Sequence, residues 1–394
     1  MNPSSSGWIE KFGHLVKSEQ LRYTGFNDLY ASLKKTGFIY GINVGVPSFI
    51  ETEHALSEDE KAKVNLLCGL YFTYTFERKE GDFKEFLEAI FHFYQQLDVG
   101  SISFLNKILT GRKTSSQLEK LVDSRVYLED NVISKTFNSI ITNSLLFIDV
   151  LTFRKYLQGE QQVRQHAQNL EYITINMTYH ALSSREKSKK DERLAQLFAS
   201  SLTFIESSKE DFDASYREKL VNQFGCEENQ YFLDVACLTV WEDQSLDYLE
   251  SEFIYGIGKD LGQSRDQIGK ALADVARFFH ENAQIIPHLK SNNLALQFYD
   301  SMSKVVNKLI LRNSKRLQKE LSESKELVYL LSKSTLKELT PEEKKKVQDQ
   351  LIDIFKSIPS LAIFILPGGA VLLPIFIKLI PKLLPSAFDE NRVE

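Results

Sequence analysis

The sequence predicts a mainly α protein: a multi-helix cytosolic body followed by a C-terminal proline-kinked membrane helix segment. Three observations carry this. Apolar residues recur at three- and four-residue spacing from Ser57 onward, while strand-like alternation is scarce. Five of the nine prolines fall in the last 36 residues. Those prolines interrupt the most apolar stretch of the chain, the 20 residues from Ile358 to Ile377, which contain no charged side chain.

Composition sets the outer bounds. The chain has 394 residues, 43% hydrophobic and 26% charged, with 27 Phe and 16 Tyr, enough apolar surface to exclude global disorder. Cys68, Cys226 and Cys237 are too few and too scattered for a disulfide scaffold or a four-cysteine zinc site, so a reducing compartment fits. Charge is uneven. Residues 301–356 hold 13 Lys/Arg against 8 Asp/Glu, residues 357–394 balance at 3 and 3, and residues 1–300 hold 32 against 42, a net of −10. Met1 to Gly7 carries no positive charge and the first Arg is Arg22, so no secretory or organellar leader is predicted and the body is expected in the cytoplasm.

Along the chain, residues 1–50 read as an N-terminal arm. Gly37, Gly41 and Gly45 punctuate an aliphatic–aromatic run there and favour loop or extended structure up to Pro47. Residues 51–160 read as a helical region opened by Ser57-Glu58-Asp59-Glu60, a capping box, and continued by Val64, Leu67, Cys68 and Tyr71. Residues 161–288 read as a second helical region, with Gly225 and Gly262 placed at helix C-termini. Residues 289–357 read as a basic neck of one long helix or two in series. Lys304, Lys308, Arg312, Lys315 and Lys319 lie three or four apart and make one stripe, a contact for lipid head groups or RNA phosphates, or a solvated face. Thr340-Pro341-Glu342-Glu343 starts the next helix, which carries Val347, Leu351, Ile354 and Phe355 on one face.

Residues 358–388 read as the membrane segment. Twenty helical residues reach about 30 Å, the hydrocarbon thickness of a bilayer. Lys356 and Lys378 flank the stretch. Two other readings stay open: a pair of helices buried in a protein core, and a re-entrant hairpin turning at Pro367-Gly368-Gly369. Pro359, Pro367, Pro374 and Pro381 are spaced 8, 7 and 7 apart, close to two helical turns, which sets the kinks near one face. Backbone carbonyls freed by proline need partners in lipid, which favours self-association of such a segment.

Leu339-Thr340-x-x-Glu343, Ile358-Pro359, Leu366-Pro367, Leu372-Leu373-Pro374, Lys378-Leu379-Ile380-Pro381 and Leu383-Leu384-Pro385-Ser386-x-Phe388 together resemble the membrane-proximal signature of the leucine zipper–EF-hand transmembrane (Letm) family. The likeness runs over residues 326–388, and the overall build is similar to bacterial Letm-related biofilm-associated proteins. It implies a membrane protein of the cation/proton exchange and ribosome-binding type. The family carries an acidic residue three positions after the central proline; here that position is Ala370, so the segment lacks the carboxylate a proton-coupled route needs. No EF-hand loop occurs, and the chain ends at Glu394, where the family continues into its ribosome-binding domain.

A weaker likeness lies at 229–280, similar to half of a tellurite-resistance TerB-like helical domain. It implies metal binding at Asp243 and Glu250, with Gln244 where that motif has glycine. There is no H-E-x-x-H, no G-x-S-x-G and no complete phosphate loop, and the seven His are dispersed. No enzyme and no cofactor are therefore expected. The expected function is a membrane-anchored helical interaction or scaffold protein, with cation/proton transport and ribosome binding as alternatives. The expected partners are membrane lipid, a second copy and the ribosome; no DNA partner is expected.

Overall fold

The computed structural model describes residues 1–19, 21–52, 54–78, 81–97, 112–126, 144–183, 216–221, 223–241, 248–286, 303, 306–307, 309–311, 313–334, 337, 339–358, 361, 364, 373–385 and 388. These form α-helices and no strand. In chain order they are α1 (Trp8–Val16), α2 (Phe26–Lys35), α3 (Glu58–Glu77), α4 (Phe83–Gln96), α5 (Arg112–Arg125), α6 (Phe147–Leu157), α7 (Val163–Ser183), α8 (Tyr216–Leu220), α9 (Cys226–Val240), α10 (Tyr248–Asp260), α11 (Arg265–Glu281), α12 (Ser314–Glu323), α13 (Lys325–Ser334), α14 (Pro341–Ser357) and α15 (Leu373–Leu383).

Helices α3, α6 and α9 are buried on nearly every side along their central runs, as helices enclosed by others are. Their buried runs are Leu66 to Tyr74, Phe147 to Phe153 and Tyr231 to Val240. Helix α6 packs between α3 and α7, α7 packs on α9, and α9 carries α10 and α11 on its other side. Phe147 of α6 is the aromatic hub, in ring contact with Phe26, Tyr30, Phe38 and Tyr231.

The first fifty residues are more helical than their sequence suggests. Helix α1 follows Gly7 and has no local side-chain cap. Its cap comes from α5 instead: Glu119 Oε1 accepts the N–H groups of Gly7 (2.9 Å) and Ile9 (3.3 Å). A partner 112 residues away leaves no local signal. Helix α2 ends at Gly37, whose φ of +85° lets Phe38 N–H reach Leu33 O and Gly37 N–H reach Lys34 O, a Schellman ending. Gly262 ends α10 in the same way, as expected. Gly225 does not end a helix. It has a φ of −71°, precedes Cys226 and is the N-cap of α9, donating its N–H to Glu228 Oε2 at 2.6 Å. Glu227 and Glu228 just after it belong to a helix start, where acids oppose the positive end of the dipole.

Among the described residues, the strong packing of α12–α15 is within that set. Helix α13 is its centre, touching α12, α14 and α15. Of the two readings of the basic neck, helices in series fit the described residues: Asn313 precedes α12, and Ser324 (φ −121°, ψ 71°) separates α12 from α13.

The tail also departs from a single long helix. Helix α14 ends at Ser357, and Ile358 is extended (φ −117°, ψ 101°), as the residue before a proline is forced to be. The next described α-helix is α15, only 11 residues long. Phe355 of α14, Phe364 and Phe376 of α15 form a three-ring cluster, with centroids 4.8 to 5.0 Å apart. Leu373, Ile375, Phe376, Ile377 and Ile380 are buried. No helix among the described residues is long and apolar enough to cross a membrane.

Candidate functional site

Local chemistry fixes how α12–α15 are held. Thr340 Oγ1 accepts the Glu343 N–H, Glu343 Oε2 accepts the Thr340 N–H, and Pro341 fills the first helical position. The same Glu343 uses its other oxygen to pair with Lys333 near the end of α13 at 2.5 Å. Near the start of α13, Glu326 pairs with Lys346 at 2.7 Å and accepts from Gln350. These contacts join the start of one helix to the middle or end of the other, so α13 and α14 run antiparallel. Ser357 Oγ donates to Glu320 Oε1, tying the end of α14 to α12. The lysine hydrogen bonds hold Glu326 and Glu343 below the ordinary glutamate pKa, and the same bonds raise Lys346 and Lys333.

Outward from this frame cations outnumber acids, with Glu323, Glu342 and Asp349 also exposed. Lys315, Arg316 and Lys319 are exposed on α12, opposite the buried Leu317 and Leu321. Lys325, Lys337 and Lys345 are exposed as well. None of these six has an ion-pair partner among the described residues. Lys304, Lys308 and Arg312, the first half of the predicted stripe, lie outside the described residues.

Of the predicted tail residues, Lys378 and Pro385 are exposed, and Pro374 and Pro381 half-buried. Pro374, Lys378 and Pro381 share one face of α15, opposite Phe376 and Ile380, and Pro385 follows the helix. The near-heptad proline spacing therefore marks the outer face of a packed helix at these positions. Pro359, Pro367, Gly368, Gly369 and Ala370 lie outside the described residues, as does Asp243. Glu250 falls within α10. No group of three or more His, Cys, Asp or Glu able to hold a metal exists among the described residues.

The α1–α11 body contains two buried charged clusters that sequence spacing did not reveal, because their members come from distant helices. Asp234 accepts from Tyr30 Oη (2.7 Å) and Lys34 Nζ (2.8 Å), and Lys34 also meets Asp274 at 3.1 Å. Burial pulls the Lys34 pKa down, but the two carboxylates outweigh it and raise it. Such a lysine stays protonated and is no nucleophile. Asp149 receives a two-pronged contact from Arg125, Nε and Nη2 both at 2.7 Å, and the Tyr94 hydroxyl at 2.8 Å. Burial pushes the Cys68 and Cys237 thiols up, so neither is an activated thiolate. Both clusters have the form of structural locks: charges paired and hydrogen-bonded inside a helical core.

Fold and surface together define a class: an acidic, mainly α body followed by a cation-rich helical module. Residues 339–394, which include α14 and α15, match the family model described as LETM1-like, RBD, so the C-terminal region is Letm1-like and of the ribosome-binding-domain type. The tail that resembled the segment before that domain thus falls within the domain itself. No curated protein matches the chain, and no solved structure does.

Proposed function

We propose that this chain is an interaction protein, not an enzyme, and that α12–α15 is its ribosome-docking module. The observation that carries this is the ribosome-binding-domain match over 339–394. The surface chemistry supports it. A ribosome presents phosphate, and Lys315, Arg316, Lys319, Lys325, Lys337 and Lys345 give an outward positive charge without buried cost. The acidic α1–α11 body is then the part held at the ribosome, free to carry a second partner. Co-sedimentation of the full chain with purified ribosomes tests this. Binding should weaken as salt rises, and should weaken further in a Lys315→Glu, Lys319→Glu variant. Equal pelleting of wild type and variant at all salt concentrations would refute docking through this surface.

A second reading is favoured by the charge-free stretch from Ile358 to Ile377: a membrane-anchored protein with its body in the cytoplasm. Its prediction is that the full chain pellets with membranes and is released by detergent but not by salt. Recovery in the supernatant without detergent would refute the anchor. Transport by this segment is the weakest of the expectations, because Ala370 stands where the Letm resemblance calls for a carboxylate.

A further inference from the structure

Tyr329 stands apart from its neighbours on α13. Leu327, Val328, Leu330 and Leu331 are all buried, whereas Tyr329 is 64% exposed. Fraying does not account for this, since the helix is pinned near both ends by the Glu326–Lys346 and Lys333–Glu343 pairs. Helix phase turns the ring outward. Lys325 lies four residues before it and Lys333 four after, so the three make one stripe with a spacing of about one turn, roughly 5.4 Å along the axis.

Most charge near the ring is paired, and Lys325 is the charge of the stripe that is unpaired among the described residues. Glu326 and Glu343, the acids of the two flanking pairs, are each taken up by a lysine. The Glu343 hydrogen bond first, and the nearby Tyr329 phenol in addition, keep Lys333 above the ordinary lysine pKa. Lys325, Lys337 and Lys345 are left exposed without an ion-pair partner among the described residues. A protein partner is best met by an apolar patch with charge at its rim. Here a single exposed π face stands one turn from Lys325, a cation unpaired among the described residues. Stacking on an aromatic face with cations tracking the phosphates is how unpaired nucleotides are held, and structured RNA displays such nucleotides in its loops and bulges.

We propose that Tyr329 and Lys325 form a single-stranded RNA contact, in which Tyr329 stacks on an exposed base and Lys325 meets the adjoining phosphate, while Lys333 stays paired with Glu343. The proposal rests on the ribosome-docking reading and names the chemistry of that contact.

The test uses the full chain and two probes: a fluorescein-labelled, adenine-rich single-stranded RNA followed by anisotropy, and intact ribosomes followed by co-sedimentation. Tyr329→Ala should weaken RNA binding by about tenfold or more, and Tyr329→Phe should restore it, because stacking needs the ring and not the hydroxyl. Lys325→Glu should lower the slope of log affinity against log salt by about one unit. Thermal melts of the Tyr329 variants should match wild type, since the ring is exposed. If wild type pellets with ribosomes while Tyr329→Ala binds RNA and ribosomes equally well, the stripe is overturned and docking stands. If wild type pellets with ribosomes but binds neither the oligonucleotide nor deproteinised ribosomal RNA, the partner is a ribosomal protein and the RNA contact is overturned. If wild type pellets with no ribosomes, the docking reading fails first.

Discussion

Replacing Phe376 by alanine removes the ring that joins α15 to the rest of its module. That ring is fully buried and lies 5.0 Å from both Phe355 and Phe364, one contact at 89° and the other at 63°. Truncating a buried Phe to Ala costs about 3–5 kcal/mol, through lost transfer free energy and the cavity left behind. The lower figure fits if α15 settles toward α13, which it also packs against. A loss of about 3 kcal/mol speeds amide exchange through the affected opening by roughly 150-fold. Hydrogen exchange by mass spectrometry on the full chain reads this segment by segment, which suits a protein with more than one packed unit better than a single melting curve. Peptides from α14 and α15 should lose protection, while those from α3, α6 and α9 should keep theirs. Exchange in α14 and α15 within about threefold of wild type would show that α15 is not packed on this aromatic cluster, and the view of the tail as part of a folded module would fall with it.

Three further expectations follow from the same reasoning. Asp149→Ala strips the partner from the buried Arg125 and should cost about 3–5 kcal/mol in urea unfolding of the α1–α11 body, while Asp149→Leu combined with Arg125→Met should cost distinctly less. Gly37→Ala should cost about 2 kcal/mol or more by the same measurement, because φ is +85° and a Cβ would sit 1.8 Å from the Ile42 carbonyl oxygen. Acid should loosen α13 from α14: Glu326 and Glu343 have folded-state pKa values depressed from 4.5, so their pairing is intact above that value and is lost as pH falls through the lower folded one. Protection in α13, taken as exchange relative to the intrinsic rate at each pH, should therefore hold from about pH 5 to 7 and fall only once pH drops below 4.5; loss of protection near neutral pH would contradict this assignment.

Local signals were legible wherever the chemistry is local. The capping boxes at Ser57 and Thr340 stand where the sequence puts them, because both partners lie within four residues. The core face of α14, with Val347, Leu351, Ile354 and Phe355, follows from helical spacing alone. What was missed depends on distant residues. The caps of α1 come from Glu119, and the Lys34–Asp234 and Arg125–Asp149 locks join helices 200 and 24 residues apart. The tail shows a different limit. Composition says only that Ile358 to Ile377 must leave water, and a protein core meets that need as well as lipid does. In α15, Phe376 and Ile380 are buried and Lys378 is exposed. Tyr329 was overlooked for a related reason: an aromatic at helical spacing is counted as core by default, and only its exposure sets it apart.

The docking of α12–α15 on the ribosome is tested most directly by lysine-reactive cross-linking of the full chain to purified ribosomes, with the linked peptides identified by mass spectrometry. The account predicts links to ribosomal proteins from Lys315, Lys319, Lys325 and Lys345, with few from the lysines of α1–α11. Links confined to α1–α11, such as from Lys84 or Lys120, or no links to ribosomal components at all, would contradict it.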